Sequence, residues 1–180
     1  LIGILFALSS QKCLLRTNCT TDEDPACMPY ITNYTDPVDS APEKWEFPDD
    51  LKGICPDYEN RENCCNTKTM QILKSKFFAL DPTFGHPSIG CSICAANLKR
   101  FWCMYNCDPD QDKFMVPGSS EYLDYQKSPD PTDIIRVVKS DINLNIATTC
   151  SIYESCKSVD FAKALGSMSN YQGFFNTLSS

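Results

Sequence analysis

From Cys64 onward the apolar residues fall on helical steps. Met70, Leu73, Phe77 and Leu80 recur every three or four residues, which predicts an amphipathic helix. Asp81-Pro82 is expected to stop it, with Phe84-Gly85-His86-Pro87 making the turn. A second helix is expected over 89–106, with Cys91, Cys94, Leu98, Phe101 and Tyr105 sharing one face and Lys99 and Arg100 pointing outward. Asp108-Pro109 breaks it. A third helix is expected over 141–156, with Ile142, Ile146, Cys150 and Tyr153 on one side. A last one is expected over 169–178, where Tyr171, Phe174, Phe175 and Leu178 form a stripe behind a Ser/Asn cap.

Between these stripes the pattern changes. The β-branched run Ile134–Val138 reads as a strand, and 110–132, rich in Pro, Gly and Ser, reads as loop. Residues 11–30 are dense in cysteine without helical periodicity. Residues 31–53, with Pro37, Pro42, Pro48 and many acids, read as an exposed excursion. Neither an internal repeat nor a membrane-spanning stretch stands out. The fold class is therefore α+β, a mainly helical, disulfide-rich single domain with a small sheet. A length of 180 residues suits one domain with a real core.

Leu1–Leu8 is a short apolar run, too short to cross a bilayer. Ala7 and Ser9 are small residues at the spacing of a signal-peptide cleavage site, so residues 1–10 read as the remnant of a signal peptide. An apolar strand of the domain is the alternative. The net charge is −7, and no basic stripe joins aromatics, so nucleic acid is not expected as a partner.

Twelve cysteines change the picture more, because an even number invites complete pairing. Zinc is the competing explanation, since Cys91-x-x-Cys94 resembles half of a zinc ribbon. But His86 is the single histidine, no second close C-x-x-C exists, and adjacent Cys64-Cys65 suits disulfides better than one metal ion. A disulfide framework implies an oxidising compartment. Asn33-Tyr34-Thr35 is a glycosylation sequon; Asn18-Cys19-Thr20 also matches, but its middle residue is expected in a bridge.

Catalytic signals are missing. His86 lies in a turn without a nucleophile pattern, and G-x-S-x-G, H-E-x-x-H and a P-loop do not occur. Cys64-Cys65 is not followed by the His-Asp pair of secreted phospholipases. Asp108, Asp110 and Asp112 resemble the opening of a calcium loop, but Pro109 intervenes and the closing Gly and Glu are absent, so they read as a solvated acidic loop. The chain is expected to be no enzyme, with no cofactor and no metal. Leu73, Phe77, Leu98, Trp102 and Phe174 could wall a ligand cavity or simply pack a core.

One family resemblance ties these features together. Cys64-Cys65, Cys91-x-x-Cys94, Asn97-Leu98, Trp102-Cys103, Cys107-Asp-Pro-Asp-Gln111 and Phe114 resemble the N-terminal luminal domain of Niemann–Pick type C intracellular cholesterol transporters. That pattern is a CC pair, a C-x-x-C, then N-L-x-x-x-F-C-x-x-x-C-x-P-x-Q-x-x-F, with Trp102 here replacing a Phe. Gln11-x-Cys13-x5-Cys19 resembles the mature start of the family. Tyr153-x-Ser155-Cys156-Lys157-x-Val159 and Asn170-Tyr171-x-x-Phe174 resemble its later helices, so the likeness spans residues 11–178.

The resemblance implies a domain over 11–180 that accepts one sterol, hydroxyl first, in an apolar pocket. It would hand the sterol to the downstream transmembrane region of the same polypeptide, with a soluble luminal sterol carrier as a possible donor. The expected compartment is the lumen of a lysosome, vacuole or endosome, or the extracellular face of a membrane. A ligand of ~28 heavy atoms at roughly 0.3 kcal/mol per atom would bind with about 8 kcal/mol, micromolar or tighter.

The ligand positions carried over are Thr69, Leu73, Asn97, Trp102 and Leu15. Thr69 stands where the family has a Gln, Leu15 where it has an aromatic, Ala26 where some members have an Asn, and Ala95 where an aromatic is usual. The implied bridges are Cys13–Cys64, Cys19–Cys27, Cys55–Cys103, Cys65–Cys107 and Cys94–Cys156, which leaves Cys91 and Cys150 expected to pair with each other. Two other readings stay open: a vitamin binder like the folate and riboflavin receptors, stacking a ring between aromatics such as Trp45 and Trp102, or an extracellular interaction module with a solid core.

Overall fold

A computed structural model describes residues 11–14, 41–84, 91–126, 134–160, 170, 173 and 174, and for 117–126 and 134–140 the backbone alone. The expected α+β class holds: four helices and one two-stranded sheet are described. The helices are α1 (Thr67–Phe84), α2 (Ser92–Cys107), α3 (Gln111–Phe114) and α4 (Ile146–Cys156); the strands are β1 (Met115–Gln126) and β2 (Ile134–Ile142).

α1 starts where Asn66 caps it, its Oδ1 accepting the Thr69 N–H at 2.9 Å and its carbonyl the Met70 N–H at 3.1 Å. The expected stripe is buried: Met70, Leu73 and Phe77 turn inward. The stop at Asp81-Pro82 is not observed, because the helix runs through Pro82 to Phe84. Proline there removes the N–H that would bond to the Phe78 carbonyl, and Phe78 is 85% exposed, so water can serve that carbonyl instead.

α2 is central. Cys94, Ala95, Leu98 and Phe101 are buried in one hydrophobic cluster with Ile152, Cys156, Val159 and Phe174. Cys103 and Cys107 belong to a second cluster with Phe47, Leu51, Met70, Leu73 and Phe77. Leu80 and Trp102 pack against both. Phe101, Trp102 and Tyr105 form a triangle of rings, the indole edge-on to the other two at 5.4 and 5.8 Å and those two stacked on each other at 6.4 Å. On the exterior, Lys99 holds Asp81 at 2.7 Å and lies 5.8 Å from the centre of the Phe77 ring, clasping α2 to α1.

Three further expectations, on exposure and element bounds, are corrected. First, the exposed excursion over 31–53 does not hold for its described part, since Phe47 and Leu51 are buried on α1. The short 310 turn Asp49–Leu51 allows this by placing Phe47 and Leu51 inward while Asp49 and Asp50 stay in solvent, where Asp50 reaches Lys74 at 2.9 Å. Reciprocal backbone bonds between Glu43 and Asn63, at 3.1 and 3.0 Å, moor this strap.

Second, the loop over 110–132 contains α3 and β1. β1 pairs antiparallel with β2, running from Met115↔Ile142 to Gln126↔Ile134, and so extends the expected strand at 134–138. The register slips between Pro117 and Tyr122, where a proline that cannot donate to the ladder and a Gly-Ser-Ser run make an irregularity rather than an end.

Third, α4 begins at Ile146, not 141, because Ile142 still belongs to β2. Its buried face carries Ile152 and Cys156, whereas Ile146 and Cys150 are exposed. Asn145 caps it, Oδ1 accepting the Ala147 N–H at 2.8 Å. Asn145→Ala is expected to destabilise the domain by about 1 kcal/mol in urea unfolding, the usual loss for such a cap.

The bridges Cys13–Cys64, Cys55–Cys103, Cys65–Cys107 and Cys94–Cys156 are formed as the resemblance implied. Cys91 and Cys150 are not bonded to each other, which corrects that pairing: both thiols are free. Six helical residues turn the chain by about 600°, so Cys150 points away from the face that carries Cys156 toward α2. Leu15, Asn33, Cys19–Cys27 and residues 1–10 lie outside the described residues. In the expected last helix only Asn170, Gly173 and Phe174 are described. Asn170 Oδ1 accepts the Gly173 N–H at 2.8 Å as a cap would, and Phe174 is buried, its ring 6.2 Å from that of Tyr153.

Candidate functional site

Leu73 and Trp102 come together through the packing of α1 on α2. Leu73 is buried within the second cluster, and Trp102, half-buried, packs against that cluster from α2. Thr69 lies four residues before Leu73, on the same side of α1 and one turn nearer its start. It is half-buried and its hydroxyl donates to Asn66 Oδ1 at 3.1 Å. Leu73 and Trp102 thus share one apolar cluster, and the Thr69 hydroxyl lies one helical turn from Leu73 along α1. Trp45 and the buried Phe47 and Leu51 join that cluster from the strap.

Asn97 is not part of this group. Its Nδ2 donates to Ser155 Oγ at 3.0 Å, and that hydroxyl donates on to the Ile152 carbonyl at 2.8 Å, so Asn97 joins α2 to α4. It lies five residues before Trp102, about 140° around the helix, which explains the different neighbour. Ala95 is buried in the first cluster, where its small size lets the neighbouring elements close on α2.

The acidic loop is less solvated than expected. Asp108 accepts from the Tyr58 hydroxyl through Oδ2 at 3.0 Å and from the Asp110 N–H through Oδ1 at 2.8 Å, while Asp110 pairs with Lys113 at 2.8 Å. Burial, reinforced by Asp108, pushes the Tyr58 hydroxyl well above the usual tyrosine range, and burial raises Tyr105 as well. Both phenols therefore stay neutral donors at any physiological pH. Among the described residues no group of three His, Cys, Asp or Glu side chains is placed to hold a metal ion.

Sequence reasoning missed a buried polar framework. Gln111 is fully buried, its Nε2 donating to the carbonyls of Tyr105 and Asn106 at 3.0 and 2.9 Å and its Oε1 accepting the Leu14 N–H at 2.7 Å. Asn63, also fully buried, donates to the Tyr58 and Arg61 carbonyls at 2.7 and 3.1 Å and accepts from Cys65 N–H at 2.8 Å. These two amides lock the CC pair and the N-terminal segment to the end of α2. A clue was available: both stand at fixed offsets from cysteines, Asn63 just before the pair and Gln111 four residues after Cys107.

The family described as Niemann-Pick C1 N terminus matches residues 10–173, nearly the whole chain. A relative from Caenorhabditis elegans, NPC intracellular cholesterol transporter 1 homolog 1, is 24% identical over 169 residues, covering 89% of this chain and 12% of its own length. The chain thus spans about an eighth of that relative. Among the described residues no helix is long and apolar enough to cross a membrane. With bridges placed as the cysteine spacing of the family implies, and with the match running from residue 10 to 173, the chain belongs to the Niemann-Pick C1 N-terminal family.

Proposed function

We propose that this is a sterol-binding domain, without catalytic activity, that takes up one sterol and passes it to a membrane-embedded part of the same polypeptide. The observation that carries the reading is family membership over residues 10–173. In this reading Leu73 and Trp102 contact the sterol ring system, and Thr69 meets its hydroxyl. Asn97 acts from the α4 side, and Leu15 contributes from the N-terminal segment. Four bridges suit a luminal or extracellular setting. Within it we place the domain in the lumen of a lysosome, vacuole or endosome, glycosylated at Asn33 and supplied by a soluble sterol carrier.

Chemistry supports the assignment of parts. The ring system of a sterol requires apolar walls, and its single hydroxyl requires one polar partner, whose loss costs ~1–3 kcal/mol. Equilibrium binding of radiolabelled cholesterol to the disulfide-intact protein is expected to saturate. Leu73→Arg, confirmed as folded by circular dichroism, is expected to lose binding by more than about tenfold, because an unpaired charge would face the ring system. Thr69→Ala is expected to weaken it roughly tenfold. Folded wild-type protein that binds no sterol would overturn the reading.

A further inference from the structure

We infer that Asn66 sets the hydrogen-bonding polarity of the site, so that Thr69 presents an acceptor and the ligand must present a donor at its polar end. This inference rests on Thr69 being the polar contact of the proposed sterol site. It names a positioning residue, Asn66, and a ligand class: hydroxysterols in preference to their ketones.

The argument is one of proton accounting. Asn66 lies 2.9 Å from the Thr69 backbone nitrogen, which can only donate. The atom facing it must therefore be the amide oxygen Oδ1, which settles the orientation of the Asn66 amide. That same oxygen lies 3.1 Å from Thr69 Oγ1. A carbonyl oxygen only accepts, so the Thr69 hydroxyl must give its single proton to Asn66. What remains on Oγ1 is a pair of acceptor sites. A ligand hydroxyl can donate to them, whereas a ligand carbonyl would meet oxygen with oxygen and leave both unpaired. The cap of α1 thus doubles as the device that orients the hydroxyl.

The test compares cholestanol with cholestanone, which differ only in carrying an alcohol or a ketone at the polar end. Equilibrium binding of each is measured on the disulfide-intact wild type, Asn66→Ala, Asn66→Asp and Thr69→Val. Wild type is expected to favour the alcohol by at least about tenfold, the loss for one unmade hydrogen bond. In Asn66→Ala the freed Thr69 proton can serve the ketone, and the preference is expected to fall below about threefold. Asn66→Asp, which still accepts, should keep the wild-type ratio. A general weakening of the helix moves both affinities together and leaves the ratio alone.

Equal binding of both ligands to wild type, or an unchanged preference in Asn66→Ala, would overturn the inference while leaving sterol binding intact. If Asn66→Ala does not fold, Thr69→Val decides, because it keeps the cap and removes the hydroxyl: its preference must vanish, and a preference that survives sinks the idea. Folded wild type that binds neither compound removes the sterol site itself, and this inference with it.

Discussion

Replacing Cys94 and Cys156 together by alanine is expected to lower the unfolding free energy by about 4 kcal/mol, the loop-closure entropy restored to the denatured chain. The bridge joins residues 62 apart in sequence, the longest separation among the described pairs. It also lies in the first cluster, both sulfurs fully buried beside Leu98 and Ile152. Among the described residues it is the sole covalent tie between α2 and α4. The double variant avoids the lone buried thiol that a single change would leave. Urea unfolding under non-reducing conditions measures the difference. Removing Cys91 and Cys150 together is the control: since they are unbonded, the loss should stay under about 1 kcal/mol. A comparable drop in the control would mean that those two thiols do pair in the folded protein.

The second large effect is at Gln111. Gln111→Leu keeps the volume but strands the Leu14 N–H and the carbonyls of Tyr105 and Asn106 in a buried place. Three orphaned groups, with each buried unmade bond costing ~1–3 kcal/mol, put the expected loss at about 3 kcal/mol after partial relaxation. The damage has a direction. Leu14 neighbours Lys12 and Cys13, and this segment is held by the Cys13–Cys64 bridge and by a parallel bridge between Lys12 and Asp110. Hydrogen exchange at the Leu14 amide should therefore quicken more than at core amides of α2. Uniform acceleration would show that Gln111 stabilises the whole domain without a local role.

Legibility followed locality. α1 and α2 could be read because each carries its apolar stripe within one segment: Met70, Leu73 and Phe77 on the first, Cys94, Leu98 and Phe101 on the second. β1 could not, because Pro117-Gly118-Ser119-Ser120 has the composition of a turn and becomes strand only by pairing with β2. The phase of α4 was ambiguous for a similar reason. Ile146, Cys150 and Tyr153 make as good a stripe as Ile152 and Cys156, and only the bridge to Cys94 decides between them. At the candidate site, Leu73 stood on the periodic stripe of α1, whereas Trp102, off the stripe read for α2, came from the family pattern. The partner of Asn97, Ser155, lies 58 residues away and no local pattern points to it. The donors and acceptors of Gln111 and Thr69 were invisible as well, because a motif position says which residue is present but not where its protons go.

The division of the interior into two clusters that share Leu80 and Trp102 has a kinetic meaning. Three of the described bridges anchor the half built from the strap, the CC pair and the end of α2; the half around α4 has one. A chain tied at more points gains less entropy when it loosens, so its opening costs more free energy. The α4 half is thus expected to open before the strap half, as faster hydrogen exchange at α4 amides than at α1 amides would show.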